Sequence, residues 1–274
     1  MRHNRRMPVM AIEPDETYVR RRREIADNAR GADLDPLDIA YLQIEDETWA
    51  FAHGELLDRW RRFAAPEILT ASQHLGLPTD RVPQLREVTD RLARRTGFRF
   101  RAVPGLVPVD EFFGALADGI FLSTQYVRHP SSPLYTPEPD VLHEVLGHAT
   151  CLADPHLALL HRAAGAAMTR VELESSRQFL ADVFWFTAEF GVLESPNGPR
   201  AYGAGLLSSA GELDWFRTQA TFRPLDLATM GTLPYDIDEY QPVLFTARSL
   251  AEVTDVVGEF FADATDDSIN ALRH

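Results

Sequence analysis

Two histidines stand five residues apart in "PDVLHEVLGHATCLADP" (residues 139–155): His143, with Glu144 beside it, and His148, with Gly147 before it. Imidazole and carboxylate groups are the ligands of divalent first-row metals, so the stretch raises the question of a metal site. On a regular α-helix each residue advances by about 100°, and positions five apart diverge by about 140°, too far for both rings to face one ion. Gly147 is the expected remedy, because a glycine backbone can leave the right-handed helical region and swing His148 back. The zinc-protease pattern H-E-x-x-H, with ligands four apart and the glutamate as general base, is not met.

Two histidines need a third ligand. Two histidines and one carboxylate, with coordination positions left open, is the arrangement of non-haem iron(II) oxygenases. Glu144, Asp154, Glu172, Glu174, Asp182 and Glu189 are the carboxylates within reach along the chain. Glu189 has the most informative setting: in "FWFTAEFGV" it lies among Phe184, Trp185, Phe186 and Phe190. A carboxylate there is costly to bury unless a cation holds it. His3, His53, His74, His129, His156, His161 and His274 show no comparable grouping and read as structural.

Composition narrows the classes. The 27 basic residues are all arginine and face 41 acidic ones, for a net charge of -14. That balance disfavours nucleic acid and anionic membrane as partners, since either needs a basic footprint. Without lysine, Schiff-base chemistry is excluded. A single cysteine, Cys151, allows no intrachain disulfide and no cysteine-built metal cluster. No apolar run suits a signal peptide or a membrane span, and the expected location is cytoplasmic.

The elements that must carry these residues can be read from periodicity. Residues 1–35 are polar and Arg-rich, including "YVRRRREIADNAR", and read as a flexible arm; residues 36–274 read as one domain. Trp49, Phe51, Leu56, Leu57, Trp60 and Phe63 recur at helical spacings, as do Leu85, Val88 and Leu92, the latter bounded by Pro83 and Gly97. A short helix follows "RFRAVPGLVPVDEFF". "IFLSTQYVRH" and "QPVLFTA" have strand composition, and "HPSSPLYTPEPD" must be loop. Phe179, Val183, Phe186 and Phe190 form one helical stripe, "AYGAGLLSSAGELDWF" reads as a Gly-rich connector, and Ser249 with Glu252 has the form of a capping box. The fold class predicted is mainly α with a few short β-strands, in a single domain.

In order and spacing, "TQYVRHPSSPLYTPEPDVLHEVLGH", "FWFTAEFG" and "AYGAGLLSSAGEL" resemble the catalytic domain of the pterin-dependent aromatic amino acid hydroxylases. The likeness runs from "DETW" near Asp46 through "VPQLREVTDRLARRTGFRFRAVPGLV" to "EYQPVLFTARS". It implies that His143, His148 and Glu189 bind iron(II). A tetrahydropterin would stack on Phe112, flanked by Gly105, Leu106 and Val107, with Glu144 near it as a catalytic group. The substrate amino acid would be held by Arg128 and Thr136, with Gly205 and Ser208 nearby and Tyr135, Pro139, Trp185 and Phe190 around its ring. Reduced pterin, dioxygen and the amino acid are the implied partners. The limited chain outside the likeness implies a monomer or weak dimer.

Trp185 implies a small ring, so conversion of L-phenylalanine to L-tyrosine is the expected reaction. Three departures from the family pattern bear on it: Phe184 replaces a usual tyrosine beside the iron, Leu122 replaces a histidine, and "GHATCL" replaces "GHVPLL". They leave open a hydroxylase of different regiochemistry or substrate, forming meta-tyrosine or acting on L-tryptophan. A zinc-dependent hydrolase with the same ligands and Glu144 as base is the distant alternative.

Overall fold

The computed structural model of the protein describes residues 15–30 and 38–273. These residues are mainly helical, with six short strands in two sheets among them. Strand β1 (Arg99–Ala102) pairs in parallel with β2 (Ile120–Ser123). The others, β3 (Val192–Leu193), β4 (Arg200–Ala201), β5 (Thr221–Pro224) and β6 (Val243–Ala247), form a sheet of order β4-β3-β6-β5. β2 and β6 lie where strand composition places them. The rest are four residues or fewer and too short to show alternation.

The helices follow their apolar stripes. In Gln43–Phe63, Trp49, Leu56 and Trp60 are buried, while Phe51 is exposed. In Leu85–Arg95 the stripe Leu85, Val88 and Leu92 is buried, and the Glu87 carboxylate accepts the Gln84 N–H at 2.9 Å. Phe179, Val183, Phe186 and Phe190 are all buried, as their spacing predicts. The central helix Pro155–Arg170, capped by Asp154, packs on Val109–Ala117 and on the segment Thr254–Asp263. At Ser249 only half of the capping box forms: its hydroxyl takes the Glu252 N–H, but the Glu252 carboxylate turns to the Arg248 N–H.

Two expectations are corrected. Part of the proposed flexible arm is a docked helix, Glu16–Ala29, capped by Asp15. Its Tyr18 hydroxyl donates to Val127 O at 3.1 Å, Arg21 makes two 2.9 Å bonds to Glu45, and Ile25 packs with Ile39 and Tyr126. The arginine-rich composition concealed an amphipathic helix whose apolar face is only Ile25 and Ala29. The remainder of the proposed arm, residues 1–14 and 31–35, lies outside the described residues. The "AYGAGLLSSAGELDWF" stretch is not a connector but two helices, Ala204–Ser208 and Ala210–Gln219. Its Gly205 serves contact: a Cβ there would stand 2.9 Å from the Phe190 ring and 3.1 Å from Glu189 O.

Candidate active site

Both segments that carry the candidate ligands are π-helical, His143–Ala149 and Trp185–Glu189. Hydrogen bonds from i to i+5 widen the turn, so residues five apart come into line where an α-helix would separate them. This brings His143 and His148 together, with Nε2 atoms 3.1 Å apart. The expected remedy is therefore corrected: Gly147 keeps a negative φ. Its service is closeness, since a Cβ would stand 2.8 Å from Ala204 O. The second π turn, closed by Phe190 N–H donating to Trp185 O at 3.0 Å, brings Glu189 Oε1 to 3.0 Å from His148 Nε2. One ligand atom from each of the three lies within 4.8 Å of the others. Of the six carboxylates within reach along the chain, Glu189 is the one that converges with both rings.

The surrounding contacts fix how these groups point. Ser208 Oγ donates to Ala204 O at 2.9 Å and stands 2.8 Å from His143 Nδ1, so that nitrogen carries the proton and Nε2 is left bare. Asp140, fully buried, takes the His143 N–H at 3.1 Å and holds Arg128 through Nε at 3.0 Å and Nη2 at 2.8 Å. Burial and then His148 lower His143 to about 4. Burial opposes charge on Glu189, but His148 and His143 outweigh it and bring the carboxyl to about 2. Burial likewise opposes charge on His148, yet Glu189 and Glu144 raise it. The point shared by the three groups thus favours positive charge. Burial pushes Glu144 up to about 8 against the pull of His148.

Two cavities of about 370 and 380 Å³ meet here, sharing His143, Glu189, Trp185, Glu138, Pro139 and Leu106. Gly105, Leu106, Val107, Phe112 and Glu144 line the first, together with Phe184 and Leu122. Arg128, Tyr135, Thr136, Pro139, Trp185, Phe190, Gly205 and Ser208 line the second. Every site residue read from the sequence is therefore brought to one of the two. A scan against protein families matches residues 11–268 to the biopterin-dependent aromatic amino acid hydroxylases. The chain belongs to that family. A phenylalanine 3-hydroxylase of Streptomyces coeruleorubidus is 48% identical, with 94% of this chain and 93% of that protein covered. The human phenylalanine-4-hydroxylase is 36% identical over 90% of this chain, which spans 56% of the human protein's length. Among solved structures, Chromobacterium violaceum phenylalanine hydroxylase with bound iron(III) and 7,8-dihydrobiopterin is 31% identical, with a TM-score of 0.79, covering 93% of this chain and 94% of that one.

In this hydroxylase several of these side chains are already engaged within the protein. Arg128 already spends its Nε–Nη2 edge on Asp140, so a substrate carboxylate cannot take that edge and is left Nη1. The Thr136 hydroxyl donates to Glu138 O at 2.6 Å, and Ser208 is turned to His143. Tyr235 was missed: it stacks on Trp185, centroids 4.6 Å apart and planes at 11°, and no local pattern marks it. Asp140 was also missed, although an aspartate three residues before His143 has the form of a helix cap. Glu138 and Glu212, which line the second cavity, carry no signal beyond their charge.

Proposed function

We propose that the hydroxylase binds iron(II) through His143, His148 and Glu189, holds a tetrahydropterin in the first cavity, and adds one oxygen atom from dioxygen to the ring of L-phenylalanine in the second. The observation that carries this reading is the junction of the two cavities at that donor set. Two imidazole nitrogens and a carboxylate converging in a buried place are mutually stable around a cation, and two histidines with one carboxylate suit iron(II). When bound, iron(II) and the reduced pterin supply the activation of dioxygen.

The chain's own part is orientation and exclusion of water. Ser208 holds the His143 tautomer. Glu144, 6% exposed, lines the first cavity, where burial pushes its carboxyl up to about 8 and so favours the protonated form. Phe112, Phe121 and Phe184 meet edge to face and give that cavity dry walls, with Phe112 placed to receive a flat heterocycle. Trp185, packed between Tyr235 and Phe190, offers an apolar wall to a substrate ring, and Nη1 of Arg128 offers a charge to the carboxylate.

For the ring position, meta is our reading. The end-to-end likeness to the Streptomyces phenylalanine 3-hydroxylase supports it, as do Phe184 and Leu122, which remove a phenol and an imidazole from the first cavity's wall. Para attack is the second reading, favoured by Trp185 and the human relative. Among the described residues no helix is long and apolar enough to cross a membrane. A single cysteine, buried as Cys151, suits a reducing compartment, and we take the enzyme to be cytoplasmic and a monomer or weak dimer. Aerobic incubation with iron(II), tetrahydropterin and L-phenylalanine is expected to yield meta-tyrosine in step with pterin oxidation. Para-tyrosine would move the attack to position 4, and pterin-independent or absent product would overturn the reading.

A further inference from the structure

His148 and His161 each keep one buried ring nitrogen without a partner, Nδ1 in the first and Nε2 in the second. The two are of opposite kind. His161 Nδ1 lies 2.7 Å from Leu157 O, and a carbonyl only accepts, so Nδ1 carries the proton and Nε2 is a bare acceptor in the neutral ring. His148 turns Nε2 to His143 and Glu189, and a ring that gives Nε2 to a metal carries its proton on Nδ1, as a donor. The rings are in edge contact, centroids 6.1 Å apart and planes at 90°. Among the described residues, His161 Nε2 is the one partnerless buried side-chain atom whose ring packs on His148. The other rings against His161, Phe98 and Phe184, offer no competing donor.

We propose that His161 is the positioning residue for the ligand His148, accepting its Nδ1–H through one trapped water, as Ser208 accepts directly from His143. The inference rests on the ligand assignment made above. A buried water is stable where it joins polar groups that otherwise go unpaired, and the second nitrogen of a metal-bound imidazole is regularly held by such a partner. It also changes the reading of His161 from a structural histidine to one acting on the metal through its neighbour.

The test is anaerobic iron(II) and cobalt(II) affinity, by competition with a chromophoric chelator, for the wild type, H161F and H161Q, each checked for folding by circular dichroism. H161F keeps a ring but removes the acceptor and is expected to bind 10–100-fold more weakly. H161Q, with an amide oxygen as acceptor, is expected to recover to within a few-fold of wild type. Equal affinity of a folded H161F and wild type would overturn the role of His161 while leaving the ligand assignment standing. Equal loss in both variants would overturn it, since an acceptor returned at that place would then have restored nothing, and loss in H161Q alone would overturn it in favour of ring packing. Wild type that binds neither metal would overturn the ligand assignment and this inference together. Should neither variant fold, long-range proton–nitrogen spectra of the zinc-loaded wild type decide: protons on Nδ1 of both rings, that of His148 in slow exchange, support the proposal, and a proton on His161 Nε2 ends it.

Discussion

Each imidazole of the candidate metal site must present Nε2 without a proton, and a neutral ring has only one proton to place. Ser208 settles where it goes in His143, and Asp140 sets the direction from which that residue enters the site. Elsewhere in the second cavity, burial pushes Glu212 up to about 7, despite the Gln241 N–H donated to it at 2.8 Å. The fold therefore prefers the protonated form. Its contribution to stability is full below 4.5, the value of a free glutamate, and is lost as the pH rises through about 7. E212Q is expected to remove that slope. Between pH 5 and 8 the wild type should lose stability relative to the variant, by an amount on the order of 3 kcal/mol at most. Parallel thermal melts of the two proteins across this range would count against it.

The two π turns do what no single side chain does: each converts a five-residue spacing into one shared direction, for His143 with His148 and for Trp185 with Phe190, whose ring centroids lie 4.7 Å apart. The first turn depends on the close approach of Gly147 to the Ala204–Ser208 helix. G147A is expected to cost about 1–3 kcal/mol by overpacking, and to weaken metal binding as His143 and Ser208 are pushed apart. Denaturant unfolding and iron(II) titration read the two effects, and a fully stable variant with normal affinity would show the contact to be dispensable. From spacing alone the two histidines were legible as a pair and the α-helix as the wrong scaffold for them. The widened turn was not legible, because its cause is packing against a helix some 55 residues further on.

Across the molecule, the N-terminal helix Glu16–Ala29 ties down the loop that walls the site. Arg22 pairs with Glu138, which lines both cavities, and its guanidinium lies 3.9 Å from the centre of the Tyr126 ring. R22A is expected to raise KM for the amino acid several-fold, a loss of about 1 kcal/mol, while iron(II) affinity stays unchanged. Steady-state kinetics with a parallel metal titration would show otherwise if KM and metal affinity moved together. The sequence by itself determined the helical class and the main apolar stripes, because periodicity is a local property, and several long motifs in register singled out the candidate ligand trio that the fold brings together. Tertiary structure alone decided that part of an arginine-rich arm is a docked helix, that Arg128 is already engaged by Asp140, and that Tyr235 and His161 stand against the site. Each of these depends on groups far apart in the chain being buried together, where an unpaired donor, acceptor or charge is costly and so selects its partner.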